Sequence, residues 1–166
     1  MSSSARCGSF TTDRFARNIA AMDDETHGPL FRKVDCVELA VPDLDLALAS
    51  YRDRLGHALH WRTATAAGLS IAESDCEIVL ETERISPETD LLVDSADQAV
   101  ERFVKAGGEI LVAPFDITVG RCAVVQDPWG NRLVLLDLSK GLLVTDSDGT
   151  VLTNLDGAPR VRPQLT

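Results

Sequence analysis

Two stretches of this chain carry the same pattern, 52 positions apart. Residues 39–59 read LAVPDLDLALASYRDRLGHAL, and residues 91–111 read LLVDSADQAVERFVKAGGEIL. Aligned without a gap, they place most apolar residues opposite apolar residues, and Gly56 falls opposite Gly108. Self-similarity at a fixed spacing is the signature of a repeated structural unit. The sequence therefore predicts an internal duplication, with one copy of a small module in each half of the chain.

Each module is predicted to begin with a strand and a capped helix. Val34–Val41 has the alternation of a half-buried strand. Asp43 then stands at a helix N-cap, and the helix is expected to end at Gly56. In the second module Ser95 is the N-cap, and Gln98 three residues later completes a capping box. The first helix is expected to bury an apolar stripe made of Leu44, Ala47, Leu48, Tyr51 and Leu55.

Three short strands are expected after each helix, because turn residues separate the alternating segments there. They are Ala58–Thr63, Leu69–Ala72 and Cys76–Thr82 in the first module, and Ile110–Ala113, Arg121–Gln126 and Asn131–Leu138 in the second. The predicted fold class is α+β, in which two βαβββ modules form a curved mixed sheet or half-barrel around a cleft. The pattern leaves open whether the two modules pair within one chain or swap between two subunits.

The remaining segments differ in composition from this repeat. Residues 1–31 are rich in small and polar side chains and are expected to form a flexible N-terminal arm. Residues 32–140 form the predicted domain, with its modules at 33–83 and 87–140. Residues 141–166 are expected to hold an extra hairpin followed by a disordered tail.

Composition narrows the classes of partner. The chain has 166 residues, 26 acidic and 16 basic side chains, and a formal net charge of −10. With 45% hydrophobic residues it does not resemble a disordered protein, and no apolar run is long enough to span a membrane. An acidic surface repels phosphate backbones, so we expect no nucleic-acid partner and favour a cationic one. The four cysteines form no CxxC pair, which predicts reduced thiols and a cytoplasmic location.

Three motifs occur in a fixed order: VELAVPDLDLALASYRDRLG (37–56), DSADQAVERFVKAGGEI (94–110) and DPWGNRLVLLDLSKG (127–141). Together they resemble the vicinal oxygen chelate superfamily, the group of glyoxalase I, bleomycin-resistance proteins and extradiol dioxygenases, over about residues 33–140. The resemblance implies a cleft often built across a homodimer. The resemblance does not indicate one particular activity, because the superfamily includes lyases, epimerases, dioxygenases, thiol transferases and binding proteins.

The resemblance also implies four metal-ligand positions, one on each of four strands. In this sequence they fall on Cys36, Val79, Glu88 and Val134. Valine has no donor atom, and a divalent metal in such a site needs three or four protein ligands. We therefore expect no metal at the usual site and no other cofactor, which removes the main support for a glyoxalase I or dioxygenase mechanism.

Strand alternation predicts which side chains share the cleft face with those positions. The expected ligand-binding residues are Cys36, Glu38, Trp61, Glu77, Val79, Glu81, Glu88, Asp90, Arg132 and Val134. One interpretation of the acids among them is ordinary: they lie near strand ends, solvated or paired with Arg62, Arg121 or Arg132.

Two functional interpretations compete with this one. In the first, the acids form a pocket for a cationic or amine-bearing ligand. In the second, Glu38, Glu77 or Asp90 acts as a general base, or the acids hold a metal at a non-standard site. Closely spaced carboxylates raise one another's pKa, which suits proton transfer.

Besides a structural or regulatory protein that uses the cleft for protein contacts, two functions follow as hypotheses. The first is a metal-free binding protein of the bleomycin-resistance type, which confers antibiotic resistance by sequestering a small cationic molecule. The alternative is a glyoxalase-like lyase, an isomerase or a dioxygenase-type enzyme that uses the cleft carboxylates or a non-standard metal site. In both cases the expected partners are a small molecule and a second copy of the chain, without nucleic acid or membrane.

Overall fold

The computed structural model describes residues 28–154, so the predicted tail and most of the predicted arm lie outside the described residues. The helices are α1 (Leu44–Leu48), which continues as a π-helix over Ala49–Arg54, and α2 (Ala96–Lys105). The strands are β1 (Lys33–Ala40), β2 (Leu59–Arg62), β3 (Ala66–Ser70), β4 (Glu77–Glu81), β5 (Glu88–Leu92), β6 (Glu109–Ile117), β7 (Gly120–Gln126), β8 (Arg132–Leu136), β9 (Leu143–Thr145) and β10 (Val151–Asn154).

Strands β1 to β8 form one curved mixed sheet in the order β2-β3-β4-β1-β5-β8-β7-β6. Within each module the first and last strands are parallel, β1 with β4 and β5 with β8. The two modules meet where β1 pairs antiparallel with β5. The predicted α+β class and the βαβββ order are confirmed, and the modules pair side by side within this one chain.

The two helices cover the same face of the sheet. Under α1, Leu44 and Leu48 pack on Leu69 and Leu80, and all four side chains are buried. Under α2, a matching cluster forms on the second module from Val93, Ala99, Val100, Phe103, Ala123, Val125 and Leu135. Because these two clusters occupy one face and side chains alternate along each strand, the opposite set of side chains points into the cleft.

Helix α1 departs from the predicted continuous amphipathic helix. Its N-terminus is as expected, because the Asp43 carboxylate accepts a hydrogen bond from the backbone N–H of Leu46 at 2.9 Å. From Ala49 onward the wider π-helical turns rotate later residues around the axis. Leu55 is 62% exposed as a result, so its predicted place on the apolar stripe is wrong.

Helix α2 begins with two caps, one local and one tertiary. The Ser95 hydroxyl accepts from the Gln98 N–H at 3.4 Å, as the sequence predicts. In addition, the Asp137 carboxylate, which follows β8, accepts from the Ala96 N–H at 2.8 Å. An anionic acceptor at a helix N-terminus is favoured by the backbone N–H groups and by the helix dipole. Asp137 therefore fixes α2 to the far end of its own module.

Asp137 is buried, yet its environment keeps it ionised. Burial alone would raise the pKa of this carboxyl group, but the Ser139 hydroxyl and the backbone N–H groups of Ala96, Arg121 and Ser139 donate to it and together lower the pKa. Hydrogen bonds to the charged form outweigh desolvation here.

The predicted extra hairpin is present as β9 and β10. It returns to the first module, where the Arg62 N–H donates to the Gly149 carbonyl at 2.6 Å. Gly149 has a φ of +79°, a conformation that favours glycine in the turn. Within residues 28–154, no helix is both long and apolar enough to cross a membrane.

Candidate functional site

The concave face of the sheet carries two adjoining cavities. The first chamber, of about 740 Å³, is lined by inward residues of β1 to β4, by the β6–β7 turn and by the hairpin. The second chamber, of about 660 Å³, is lined by the segment 83–87 between the modules and by β5, β7 and β8. The side chains of Glu81 and Asp90 line both chambers. Volumes of this size suit a small organic molecule.

The first chamber is strongly acidic. Lys33 and His60 are the basic side chains on its wall. Its carboxylates are those of Asp35, Glu38, Asp75, Glu77, Glu81, Glu83 and Asp90. Three of them are buried, since Glu38, Glu81 and Asp90 are at most 9% exposed. The wall therefore carries a large excess of negative charge in a partly desolvated space.

The inward face of the second module is mostly apolar. Its buried cluster is formed by Ile117, Cys122, Val124, Val134 and Leu136. Phe115 and Leu92 pack against this cluster. Acidic and apolar surfaces therefore lie side by side within the same cleft.

Arg84 is the cation at the centre of the cleft. It projects from the segment between the modules, and its guanidinium forms ion pairs with Glu38 and Glu88. Arg132 lies 3.4 Å from Glu88 at the rim of the second chamber. Of the three arginines expected as partners of the cleft acids, only Arg132 takes that role.

The other two arginines bind elsewhere. The Arg62 guanidinium pairs with Asp45 at 2.6 Å, and that of Arg121 pairs with Asp97 at 2.7 Å. Both carboxylates lie on the helical side of the molecule, at the first turns of α1 and α2. The interpretation of the acids as solvated strand-end residues paired with Arg62 or Arg121 is wrong for Glu38 and Asp90, which are buried.

Glu77 organises the outer wall of the first chamber. Its carboxylate accepts from the Trp61 indole N–H at 2.8 Å and lies 2.7 Å from His60 Nδ1. The Trp61 ring rests on Gly68, where a Cβ atom would come within 2.1 Å of the indole nitrogen. A residue without a side chain is therefore required at Gly68 for Trp61 to hold this position.

The structure brings all ten predicted ligand-binding residues to the cleft. The first chamber contains Cys36, Glu38, Trp61, Glu77, Val79, Glu81 and Asp90. The second contains Glu81, Glu88, Asp90, Arg132 and Val134. The predicted alternation is therefore correct as geometry, and the binding role of these residues stays a prediction.

The usual metal positions of the resembled superfamily do not fit a metal here. Val79 and Val134 offer no donor atom, and Glu88 is engaged by Arg84. A different group comes closer to a ligand set. One donor atom each of Cys36, Glu38 and Asp90 lies within 4.8 Å of the others, and all three residues are buried.

Two parts of the cleft were missed at the level of sequence. Arg84 lies outside any periodic segment, although it is the only basic residue between Arg62 and Arg102 and sits between the two acid-bearing central strands. The hairpin was predicted, but its return to the first chamber through Leu142, Leu143 and Thr145 was not. No local pattern indicates where such a segment docks.

Comparison with solved structures gives the same fold. Methylmalonyl-CoA epimerase from Mycobacterium tuberculosis superposes with a TM-score of 0.59 at 20% identity, over 70% of this chain and 94% of that one. NAD-dependent benzaldehyde dehydrogenase from Legionella pneumophila gives 0.54 at 18% identity, over 63% and 98%. A Streptomyces coelicolor methylmalonyl-CoA epimerase variant bound to 2-nitronate-propionyl-CoA gives 0.55 at 16%, over 67% and 99%. At these identities the likeness concerns the fold alone.

Sequence comparison with protein families agrees with the structural comparison. No curated protein matches the chain. The family model of the glyoxalase/bleomycin resistance protein/dioxygenase superfamily matches residues 33–135, which is well over half of the chain and spans β1 to most of β8. The match includes both modules and the central β1–β5 pair. The chain belongs to the glyoxalase/bleomycin resistance protein/dioxygenase superfamily.

Proposed function

We propose that this protein binds an amphipathic, cationic small molecule in its cleft and sequesters it without chemical change. The observation that carries the proposal is the charge of the first chamber, where seven carboxylates, one of them paired with Arg84, face Lys33 and His60. Carboxylates on the walls of a cleft focus the electrostatic field and raise the local concentration of cations. A bound cation also offsets part of the cost of burying Glu38 and Asp90.

Trp61 supports the same class of ligand. Its ring is half-buried on the chamber wall and is held by Glu77 and Gly68. The face of an indole attracts a cation through its quadrupole, and a planar ligand can stack on it. An aromatic surface within a carboxylate-lined chamber is typical of sites that recognise organic cations.

The apolar cluster of the second module defines the rest of the ligand. A purely hydrophilic cation would gain nothing from Val124, Val134 and Leu136. These three side chains are already buried, so the gain comes from the ligand's own apolar surface, at about 25 cal/mol per Å² removed from water. The ligand therefore carries its charge beside an apolar body.

The test is a matched series of probes of one size. Benzamidine and benzylamine are cations, benzamide is neutral and benzoate is an anion. Calorimetry should show binding of the two cations and much weaker binding of the other two. Mass spectrometry should recover the bound cation unchanged. Equal affinity for benzamide or benzoate would contradict the proposal.

A charge-neutral variant locates the site. Glu81 lines both chambers, and Glu81→Gln should weaken cation binding about tenfold, through loss of one charge-assisted contact of about 1.4 kcal/mol. Glu101→Gln is the matched control, since it removes the same charge from an exposed position on α2. An equal loss of affinity in both variants would point to the overall charge and not to the chamber.

A second candidate, an enzyme of the lyase or isomerase type, is favoured by the approach of Cys36, Glu38 and Asp90 to one another. Buried carboxylates beside a substrate can act as general bases. This candidate requires that a bound molecule be turned over and that Asp90→Asn abolish turnover while binding persists. Homodimerisation and a cytoplasmic location stay predictions, the first testable by light scattering.

A further inference from the structure

Arg84 occupies a site built from two carboxylates that face each other across the centre of the sheet. Glu38 on β1 and Glu88 on β5 are direct cross-strand partners. Like charges at such positions repel and destabilise the pair. The side chains of Glu38 and Glu88 are 1% and 9% exposed, so water screens them little. A cation between them offsets this repulsion.

The geometry of this site matches a forked cation. Arg84 Nε contacts Glu38, and Arg84 Nη1 contacts Glu88, so one planar guanidinium bridges the two strands. A guanidinium presents several N–H donors in fixed directions, whereas an ammonium is a compact point charge. Recognition of both carboxylates at once therefore favours a guanidinium or an amidinium over a simple amine.

Arg84 reaches the site from a segment that belongs to neither module. Residues 82–87 connect β4 to β5 and form no helix or strand. Ile85, next in the chain, is 93% exposed. Withdrawal of the Arg84 side chain would break its two ion pairs and leave the ladders of the sheet intact.

We propose that Arg84 is a tethered occupant of the cation subsite between Glu38 and Glu88, and that the ligand which displaces it carries a guanidinium or amidinium group. This inference rests on the proposed function and narrows its ligand class. Because Arg84 is tethered, its effective concentration at the subsite is on the order of millimolar or above. The ligand then binds only those wild-type molecules from which Arg84 has withdrawn, and its apparent affinity is lowered in proportion to their fraction.

The experiment removes the occupant and measures which cations take its place. Benzamidine is titrated into wild type, Arg84→Met and the control Arg52→Met, in which an exposed arginine paired with Asp53 is lost. Arg84→Met should bind benzamidine at least about tenfold more tightly than wild type and Arg52→Met, as expected when a tethered competitor is removed. Methylguanidinium should also raise the melting temperature of Arg84→Met saturably, with little effect on wild type.

Two outcomes would overturn the inference. One is an Arg84→Met protein that binds benzamidine no better than wild type, which would make Arg84 a structural ion pair only. The other is an equal gain in affinity for benzylamine, which would show that the subsite selects charge and not the forked shape. In either case, binding of cations to wild type would leave the proposed function standing. Failure of all cations to bind wild type and all variants would reject both.

Arg84→Met leaves two buried carboxylates facing each other without a cation, which destabilises the fold. A second variant that retains a positive charge is therefore tested as well. Arg84→Lys keeps a cation but lacks the fork. It should compete less well for the subsite and give a gain in benzamidine affinity between those of wild type and Arg84→Met. If Arg84→Lys folds but gains no affinity for benzamidine, that result contradicts the inference as strongly as the same result in Arg84→Met.

Discussion

The two modules have the same strand order and helix placement, but their inward faces differ. The first module presents Glu38, Glu77 and Glu81 with Trp61, whereas the second presents Glu88 and Asp90 on β5 beside an apolar cluster around Val124 and Val134. Both modules bury a core cluster on the helical face, and the second buries a further cluster on its inward face. Because the helical face is packed in the same way in both modules, the inward positions differ in chemistry within one fold. One repeated strand and helix order therefore carries a cleft with two chemistries.

The modules also differ in how their helices are anchored. The first turn of α1 is capped by Asp43, an exposed neighbour in sequence. The first turn of α2 is tied by Asp137, a buried carboxylate 41 residues further along the chain. A tertiary cap couples the helix to the sheet, so its loss should affect the whole module.

The largest expected effect tests this difference in anchoring. Asp137→Ala should lower the free energy of unfolding by about 3 kcal/mol, because it leaves the buried Ala96 N–H and the partly buried donors of Arg121 and Ser139 without their acceptor. Asp43→Ala, the matched cap variant, should cost about 1 kcal/mol. Urea denaturation of both variants measures the difference. Equal losses would show that α2 does not depend on its tertiary cap.

The next effect compares two valines at equivalent positions. Val79 and Val134 are both nearly fully buried, but only Val134 belongs to the apolar cluster, whereas Val79 lies between Glu38 and Gly68 on the neighbouring strands. Val134→Ala should cost about 2 kcal/mol, since its neighbours lose close apolar contacts. Val79→Ala should cost about 1 kcal/mol. Chemical denaturation of both variants measures the two losses in the free energy of unfolding. A larger loss for Val79→Ala than for Val134→Ala would contradict the assignment of an apolar face to the second module.

A smaller effect concerns the aromatic wall of the first chamber. Gly68→Ala should displace the Trp61 ring and break its hydrogen bond to Glu77, at a cost of about 1 kcal/mol from overpacking. In a Trp129→Phe background, Trp61 is the remaining tryptophan, and its fluorescence should shift to longer wavelength. The Trp129→Phe protein alone is the control. An unchanged spectrum would show that the ring does not depend on Gly68.

The smallest effect is a dependence of stability on pH. The pKa of Asp137 lies below its ordinary value of 3.8, so the fold favours the ionised form. This contribution is present above pH 3.8 and is lost as the pH falls through the lower pKa of the folded state. Wild type should therefore lose more stability than Asp137→Asn between pH 4 and the acid limit of the fold. Parallel curves for the two proteins in urea titrations at several pH values would contradict this.

Local periodicity was sufficient for most of the fold and for the inward residues of the central strands. A strand alternates its side chains between two faces, so the apolar set Ile78, Leu80 and Leu135 also assigned Glu38 and Asp90 to the cleft. Helix starts were equally local, because Asp43 and Ser95 cap the residues that follow them. The π-helical turn after Leu48 was not predicted, since the apolar spacing through Tyr51 and Leu55 suits a regular helix.

The sequence by itself determined the βαβββ repeat, the order of strands and helices, the face that the residues around Cys36, Val79, Glu88 and Val134 occupy, and the acidic character of the cleft. These properties depend on the spacing of apolar and polar residues along the chain, which is visible in the sequence itself. Only the tertiary structure decided that β1 pairs with β5 in the same chain, that Arg84 enters the cleft, that Asp137 caps α2 and that the hairpin lines the first chamber. Each of these contacts joins residues through the fold, and no periodic pattern encodes where a loop side chain or a returning segment docks.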